Sequence, residues 1–415
     1  MAIVKPFRAF RPKKEVAHLV ASLPYDVLSS EEAREIVKNN PLSFLHVTKP
    51  EVDLDPSIDI YSPIVYQKAK ENLEKFISEG IFFQDEKPCY YIYAQTLWGR
   101  TQYGIVGNAS TEDYYNKVIK EHELTRPDKE DDRLNHIRIT GFHAEPVFFA
   151  FPDNKKLQQI ISNTTIKEPE YYFTAEDGIT HSLWVISEDK TINEIERIFK
   201  EEIPYVYVAD GHHRTAAAAR YAKERKEKNS NHTGKEEYNY FIAVHFPASH
   251  LKILDYNRVI KDLNGLTVEQ FINKLKDHFE ITEVDFSNAR PEKLHQFSMY
   301  INNKWYKLNA LPHTYNDNDP IDSLDVTVLT KFVLDPLLDI KDLRKSKRID
   351  FVGGIRGLKE LEKRVDSGEM VAAFALYPVS MNQLIKIADT GNIMPPKTTW
   401  FEPKLRSGLF IHKVE

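Results

Sequence analysis

The chain has 415 residues and a formal net charge of −6, from 56 lysines and arginines against 62 aspartates and glutamates. With 41% hydrophobic and 28% charged residues, this is the composition of a globular protein, which excludes a largely disordered, collagenous or low-complexity chain. The length predicts two or three domains. The acidic balance argues against general binding to the phosphate backbone of nucleic acids.

A single cysteine, Cys89, excludes an intrachain disulfide and a four-thiolate metal site. Residues 1–14 lack the apolar core of a secretory signal peptide. The longest apolar run, Met370 to Tyr377, falls short of the ~20 residues that cross a bilayer. We therefore expect a soluble, cytoplasmic protein with no membrane and no nucleic-acid partner.

Three helices and one hairpin are predicted in the first part of the chain, up to about residue 121. Ser29 and Glu32 form a capping box that opens a helix over 29–39, and Ser62-Pro63 opens a second helix that Gly80 can end. Two β-rich runs, 89–97 and 102–109, predict a hairpin. A further helix is predicted from residue 111 to about residue 121.

Strands and helices alternate through the rest of the chain. Strands are predicted at 146–151, 183–187, 205–209, 240–246, 280–286, 349–352 and 370–377. Helices are predicted at 191–201, 215–228, 267–279, 358–365 and 381–388, and a hairpin turn at Asn302-Asn303. This alternation predicts an α/β fold (with α+β as the alternative) of mixed sheets with flanking helices. The expected domains are 1–110, 111–262 and 263–415.

The most informative segment is 205–214, a short apolar strand followed by Asp210, Gly211, His212, His213 and Arg214 and then by an alanine-rich helix. The first turn of a helix has free N–H groups at the positive end of the dipole and so attracts anions. A glycine lets a ligand approach the backbone, and an arginine can bind phosphate through two donors. The alternative is that Asp210 simply caps the helix.

A second segment, 122–133, combines one histidine with five acidic and three basic residues. Such a segment is usually a solvated helix face with paired charges. The functional alternative is a loop that offers cations to phosphate and one carboxylate to a hydroxyl. Glu123 is then the preferred carboxylate, because it precedes the charged run beside His122 and Thr125.

Two proline-containing segments are further candidates. Residues 394–408 form a stiff, irregular stretch whose side chains, among them Lys397 and Lys404, can donate hydrogen bonds to a phosphate or a carboxylate. The alternative is that this stretch is a C-terminal strap held by its aromatic residues. Residues 24–27 form a rigid turn that either places Asp26 in a site or only precedes the helix at Ser29.

The segments 24–27, 122–133, 210–214, 256–259 and 394–408, in this order, resemble those of the family called domain of unknown function 1015 over essentially the whole chain. The segment 210–214 also resembles the nucleotide motif of the ParB/sulfiredoxin-like superfamily. No cysteine stands in this turn, so the resemblance does not extend to sulfinic-acid repair. No basic helix-turn-helix accompanies it, as ParB would need. The free-serine kinases resemble the turn best, which implies a ParB/sulfiredoxin-like nucleotide-binding core and additional α/β regions.

The resemblance implies a kinase that transfers a phosphoryl group from ATP or ADP, with Mg²⁺, to a small hydroxylated amino acid such as free L-serine. It carries over Asp210 to Arg214 only, and the remaining roles follow from local chemistry. Catalysis is assigned to Asp210 and Glu123, and a contact with magnesium to Asp210. Nucleotide or phosphate binding is assigned to Gly211, His212, His213, Arg214, Lys129, Arg133 and Lys397. Substrate binding is assigned to His122, Thr125 and Asp26.

Three other classes stay open. A nucleotide-binding or nucleotide-hydrolysing switch would share the fold but need no acceptor. A metal hydrolase would use His122, His212 and His213, although no His-Glu-x-x-His helix is present. The third class is an interaction protein without a site.

Overall fold

The computed structural model describes residues Met1–Glu415 and divides into two units. The first unit comprises Met1–Leu251 with Pro403–Glu415, and the second comprises Lys252–Glu402. The strands are β1 (Val4–Lys5), β2 (Phe10–Pro12), β3 (Phe82–Gln84), β4 (Tyr90–Leu97), β5 (Arg100–Ser110), β6 (Ile119–Lys120), β7 (Phe142–His143), β8 (Val147–Phe151), β9 (Tyr171–Thr174), β10 (Thr180–Ile186), β11 (Val206–Asp210), β12 (Tyr240–Pro247), β13 (Ile253–Leu254), β14 (Tyr256–Ile260), β15 (Phe279–Val284), β16 (Gln296–Ile301), β17 (Lys304–Ala310), β18 (Ile349–Gly353), β19 (Ala372–Ala375), β20 (Trp400–Phe401) and β21 (His412–Lys413). The α-helices are α1 (Ala17–Val20), α2 (Ser30–Val37), α3 (Leu45–Thr48), α4 (Pro63–Ser78), α5 (Thr111–Tyr115), α6 (Pro127–Thr140), α7 (Lys155–Thr165), α8 (Asp189–Glu202), α9 (His212–Lys228), α10 (Val268–Leu275), α11 (Asp325–Leu329), α12 (Gly357–Asp366) and α13 (Met381–Asp389).

A nine-stranded mixed sheet organises the first unit. Eight strands run in the order β6-β11-β8-β12-β5-β4-β10-β9, and β1 pairs with β5. The pairs β6–β11 and β8–β12 are parallel, and the others are antiparallel. The predicted mixed sheet with flanking helices is therefore confirmed.

The core of the first unit lies where helices cover this sheet. Ile195 and Phe199 of α8 are fully buried in one cluster with the sheet residues Tyr90 and Phe149. Helices α6 and α9 pack against each other, and the run Ala216–Ala219 on α9 is buried throughout. Because alanine side chains are short, α6 and α9 can approach each other closely beside the charged segment 122–133.

Several local predictions are confirmed. The capping box of Ser29 and Glu32 is formed at the start of α2. Helix α4 begins at Pro63, and Gly80 follows its end with a φ of +68°. Strands β4 and β5 form the predicted hairpin, with a two-residue turn at Trp98-Gly99.

Two local predictions in the first unit are wrong. The helix at residue 111 ends at Tyr115, because Lys117 adopts a φ of +57° and the chain then enters β6. The helix predicted to begin at Thr191 begins earlier: α8 already starts at Asp189, and the Thr191 hydroxyl donates to Glu188.

The second unit contains a separate antiparallel sheet of six strands, in the order β15-β17-β16-β19-β14-β18. The turn at Asn302-Asn303 has φ values of +50° and +59°, as a tight hairpin requires. The predicted helix 267–279 is shorter, since α10 ends at Leu275 and Phe279 already begins β15. None of the helices in the structure is both long and apolar enough to cross a membrane.

Candidate active site

Strand β11 leads directly into helix α9 at the predicted motif. Asp210 is the last residue of β11, and Gly211 turns the chain with a φ of +99°. Gly211 occupies the N-cap position of α9, and no side chain caps this helix. Asp210 is therefore not an N-cap, and the first-turn N–H groups of a 17-residue helix receive no side-chain acceptor.

The carboxylate of Asp210 is instead ion-paired. Its Oδ2 atom accepts a hydrogen bond of 2.8 Å from Lys404 Nζ, and its Oδ1 atom lies 3.9 Å from an Nη atom of Arg214. Burial would raise the pKa of Asp210, but the positive charges of Lys404 and Arg214 outweigh burial and hold that pKa well below its ordinary value. Asp210 is therefore ionised at neutral pH.

The C-terminal segment delivers Lys404 to this carboxylate. Ser407 and Ser22 exchange two backbone hydrogen bonds, and Ile411 pairs with Phe10 in the same way. The Lys404 carbonyl also accepts a hydrogen bond of 2.7 Å from the buried Gln95 amide. Residues 403–415 therefore form a strap that is held by backbone pairing, whereas Trp400 and Phe401, which the sequence interpretation gave as its anchors, pair with β13 in the second unit. The strap brings a cation to the motif.

Two neutral histidines border the motif. Because β6 and β11 are parallel neighbours, the residues that follow them leave the sheet at the same end. His122 therefore meets His212 edge to face, with 4.6 Å between ring centroids. Burial lowers the pKa of His122 to about 4 and that of His212 well below its usual range. Glu123 follows His122 directly and is half-buried.

His213 and Thr125 both make hydrogen bonds near the start of α6. The Nε2 atom of His213 accepts a hydrogen bond of 3.0 Å from the Arg126 N–H, which assigns the ring proton of the neutral form to Nδ1. Burial lowers the pKa of His213 as well. The Thr125 hydroxyl donates to Glu130 at 3.0 Å.

Arg214 is buried, and three carboxylates surround it. Burial would lower its pKa, but the charges of Asp26, Asp210 and Glu145 raise it. One Nη atom donates to the Pro146 carbonyl, whereas the buried Nε has no hydrogen-bond partner. The guanidinium thus retains a donor near the first turn of α9.

Arg133 is held more tightly than the sequence suggests. Its guanidinium makes two bonds to Asp132, at 2.7 and 3.0 Å, and a third to Glu145 at 3.1 Å, and it lies 3.8 Å from the centre of the Tyr25 ring. Glu145 also accepts from the Tyr25 N–H and the Ser407 hydroxyl. This pairing binds the 24–27 turn, α6 and the strap together.

A cavity of about 330 Å³ lies beside these residues. Asp26, Lys129 and Arg133, which the sequence nominated, line it. The sequence predicts the segment 122–133 either as a helix face or as a loop. Residues 127–133 form the start of α6, and Lys129 and Arg133 stand on that helix. The polar lining residues that no motif indicated include Thr48, Lys49, Glu51, Tyr61, Tyr66 and His136.

Lys397 belongs to the second unit. Its carbonyl accepts a hydrogen bond of 2.9 Å from Arg258, and its ammonium lies 5.7 Å from the centre of the Tyr256 ring. These contacts are internal to that unit, and the assignment of Lys397 to phosphate binding stays a prediction.

The protein side chains do not form a metal site of their own. No group of three or more His, Cys, Asp or Glu side chains is arranged to hold a metal ion. Asp210, the residue nominated for magnesium, has two cationic neighbours in place of further carboxylates. A magnesium ion that arrives with a nucleotide is part of the substrate.

Comparison with known proteins gives the family. The sequence profile described as "Protein of unknown function (DUF1015)" matches residues 4–327. The chain belongs to this family. No curated protein matches it.

Solved structures resemble this member of the DUF1015 family only distantly. A free serine kinase in complex with AMP is 12% identical, with 75% of this chain and 91% of that chain covered and a TM-score of 0.36. A conserved hypothetical protein from Pyrococcus furiosus is 14% identical, with 74% and 95% covered and a TM-score of 0.35. SbnI with a C-terminal truncation, from Staphylococcus aureus, is 10% identical, with 74% and 87% covered and a TM-score of 0.37.

Proposed function

We propose that the protein is a phosphotransferase that moves a phosphoryl group from ATP or ADP to the hydroxyl of a small amino acid, with free L-serine as the acceptor. The observation that carries this proposal is the uncapped start of α9, flanked by Arg214 and Lys404. Phosphoryl transfer depends mainly on positioning and on donors aimed at phosphate oxygens. The resemblance of the 210–214 turn to free-serine kinases supports L-serine as acceptor.

The phosphate groups would lie against the first turn of α9. Free N–H groups at a helix start favour anions, and the left-handed Gly211 leaves the approach open. A Cβ atom at Gly211 would stand only 3.1 Å from Arg214 Nε, so the turn and the guanidinium are closely fitted. Because His122 and His212 are neutral, they can act as hydrogen-bond donors or acceptors without adding charge.

The two nominated carboxylates receive different roles. A general base works best when its pKa lies near the working pH, whereas Lys404 and Arg214 hold the pKa of Asp210 far below that range. We therefore assign Asp210 to positioning Lys404 and Arg214 at the phosphates. Glu123, which follows His122 at the same end of the sheet, is assigned to accept the hydroxyl proton.

The test is phosphorus NMR of the purified protein with Mg²⁺, ATP or ADP and L-serine, with acceptor-free controls. A phosphoserine signal that requires both protein and serine supports the proposal and identifies the donor. Nucleotide hydrolysis without a phosphorylated acceptor favours the switch interpretation. A nucleotide that neither binds nor reacts contradicts the phosphate assignment of residues 210–214.

A further inference from the structure

The cavity beside the motif has an unusual charge arrangement. Its volume of about 330 Å³ lies within the range of small-molecule pockets, about 300–1,000 Å³. Three acidic and three basic side chains line it, all from the first unit. They are Asp26, Glu51, Asp132, Lys49, Lys129 and Arg133.

Four of these six charges neutralise one another within the protein. Lys49 Nζ lies 3.0 Å from Glu51, and both side chains are about nine-tenths buried. Arg133 is bonded twice to Asp132, as described above. His136, which also lines the cavity, adds no charge near neutral pH, because burial lowers its pKa to about 4.

One acid and one base are left for a ligand. Asp26 is exposed and lines the cavity. Its carboxylate accepts no hydrogen bond, and no cation lies within ion-pair distance of it. Lys129 is half-buried, and its ammonium donates only to the Tyr61 hydroxyl, at 2.9 Å, without a carboxylate partner. A cavity with one charge of each sign that has no ion-pair partner within 4 Å suits a ligand that carries both charges.

We propose that this cavity binds the amino-acid acceptor as a zwitterion, with its ammonium group at Asp26 and its carboxylate at Lys129. The inference rests on the proposed function, because only that function makes the bound amino acid a phosphoryl acceptor. It assigns Lys129 to binding the amino acid rather than the phosphate. Asp26 also acts electrostatically on His213 and Arg214, so an amino group bound there lies close to the start of α9. The acceptor hydroxyl would then face the phosphate-binding turn.

The experiment is isothermal titration calorimetry of the full chain with three ligands, with and without AMP. L-Serine carries both charges, 3-hydroxypropionate lacks the ammonium group, and L-serinamide lacks the carboxylate. The wild type should bind L-serine about 10-fold or more tightly than either analogue, since each loses one charge-assisted contact.

Two variants, each without one of the two charges, should lose affinity for different ligands. Asp26→Asn should weaken L-serine and L-serinamide about 10-fold but leave 3-hydroxypropionate unchanged. Lys129→Met should weaken L-serine and 3-hydroxypropionate about 10-fold but leave L-serinamide unchanged. Lys70→Met and Glu74→Gln are the controls, because these exposed residues of α4 pair only with each other at 3.9 Å.

The outcomes separate this inference from the proposed function. Wild-type affinity for L-serine in either variant overturns the zwitterion site, even if phosphoserine is formed. If Lys129→Met loses affinity for AMP but keeps its affinity for L-serine, Lys129 binds the phosphate, and this result also overturns the zwitterion site. The ligand pattern expected above, in a protein that forms no phosphoserine, supports the site while contradicting the phosphotransferase.

Discussion

Lys404 Nζ lies 2.8 Å from Asp210 Oδ2, although 194 residues separate the two in the sequence. The contact joins the C-terminal strap to the strand–turn–helix motif and neutralises the only acidic group of that motif. It also means that the strap is a component of the candidate site. Gln95, a buried residue of β4, donates a hydrogen bond to the Lys404 carbonyl and so holds the backbone of the strap in place.

Removal of Lys404 should destabilise the protein. Loss of one partner of a buried pair costs about 3–5 kcal/mol, but Asp210 keeps 24% of its side chain exposed and Arg214 remains nearby. For Lys404→Met we expect a loss of about 1–3 kcal/mol at pH 7, measured by urea unfolding. Lys413→Met, on the same strap but exposed, is the control; equal losses in both variants would contradict a specific pair.

The same pair fixes the direction of a pH effect. The native pKa of Asp210 lies below its unfolded value of about 3.9. The pair therefore contributes its full stability above that value, and the contribution is lost as the pH falls through the native pKa. Lys404→Met should lose less stability than the wild type between pH 5 and pH 3, and parallel curves would refute the assignment.

Asp210→Asn tests the positioning role directly. The amide keeps the size of the side chain but removes the charge that holds Lys404 and Arg214. We expect a loss of about 10²–10⁴-fold in phosphoserine formation, with the far-ultraviolet circular dichroism unchanged. An Asp210→Asn variant with the wild-type rate would remove this residue from the reaction.

Gly211→Ala separates backbone strain from damage to the site. A left-handed residue other than glycine costs roughly 1–2 kcal/mol, and Gly211 has a φ of +99°. Its new Cβ would also press on Arg214, so the affinity for AMP or ADP should fall as well. Gly141→Ala is a matched control, because Gly141 has a φ of +72° but open space around it.

Both glycine variants should therefore lose stability, and only Gly211→Ala should lose nucleotide affinity in calorimetry. Equal nucleotide affinities in the two variants would show that the fit between Gly211 and Arg214 has no part in binding.

The sequence predicts most of the local structure around the site. The turn at Gly211 and the helix behind it were predictable because a glycine follows an apolar strand and precedes a run of alanines. The capping box at Ser29 depends only on residues three positions apart. Patterns of this kind are local, so one sequence contains them in full.

The sequence does not predict which distant residues meet. Lys404 is one of several donors in the 394–408 segment, and contacts with distant residues, such as the pairing of Ser22 with Ser407, bring it to Asp210. The sequence does not predict the cavity either, because Lys49 and Tyr61 lie in connections between helices, where no recognisable spacing marks them. The sequence predicts Arg133 as a cation of the site, but it does not predict the pairing with Asp132, which depends on side-chain orientation rather than on pattern.

His245 should make the stability of the whole protein depend on pH. This residue of β12 is fully buried, with the Phe149 and Phe199 rings 5.4 Å from its own. Burial lowers its pKa to about 4, although a hydrogen bond with the Ile105 carbonyl opposes the shift. The unfolded chain binds a proton near pH 6.5, so the native state is favoured fully above that pH and progressively less below it.

Between pH 7 and pH 5 this one histidine should remove up to about 2 kcal/mol of stability, at about 1.4 kcal/mol for each pH unit below 6.5. His245→Gln has no such titration, so its free energies of unfolding at the two pH values should lie closer together than those of the wild type by that amount. His18→Gln, at an exposed position of α1, is the control and should keep the wild-type difference. If urea unfolding gives His245→Gln the same pH dependence as the control, His245 takes up its proton equally in the native and unfolded states, and its assignment as a neutral core residue is wrong.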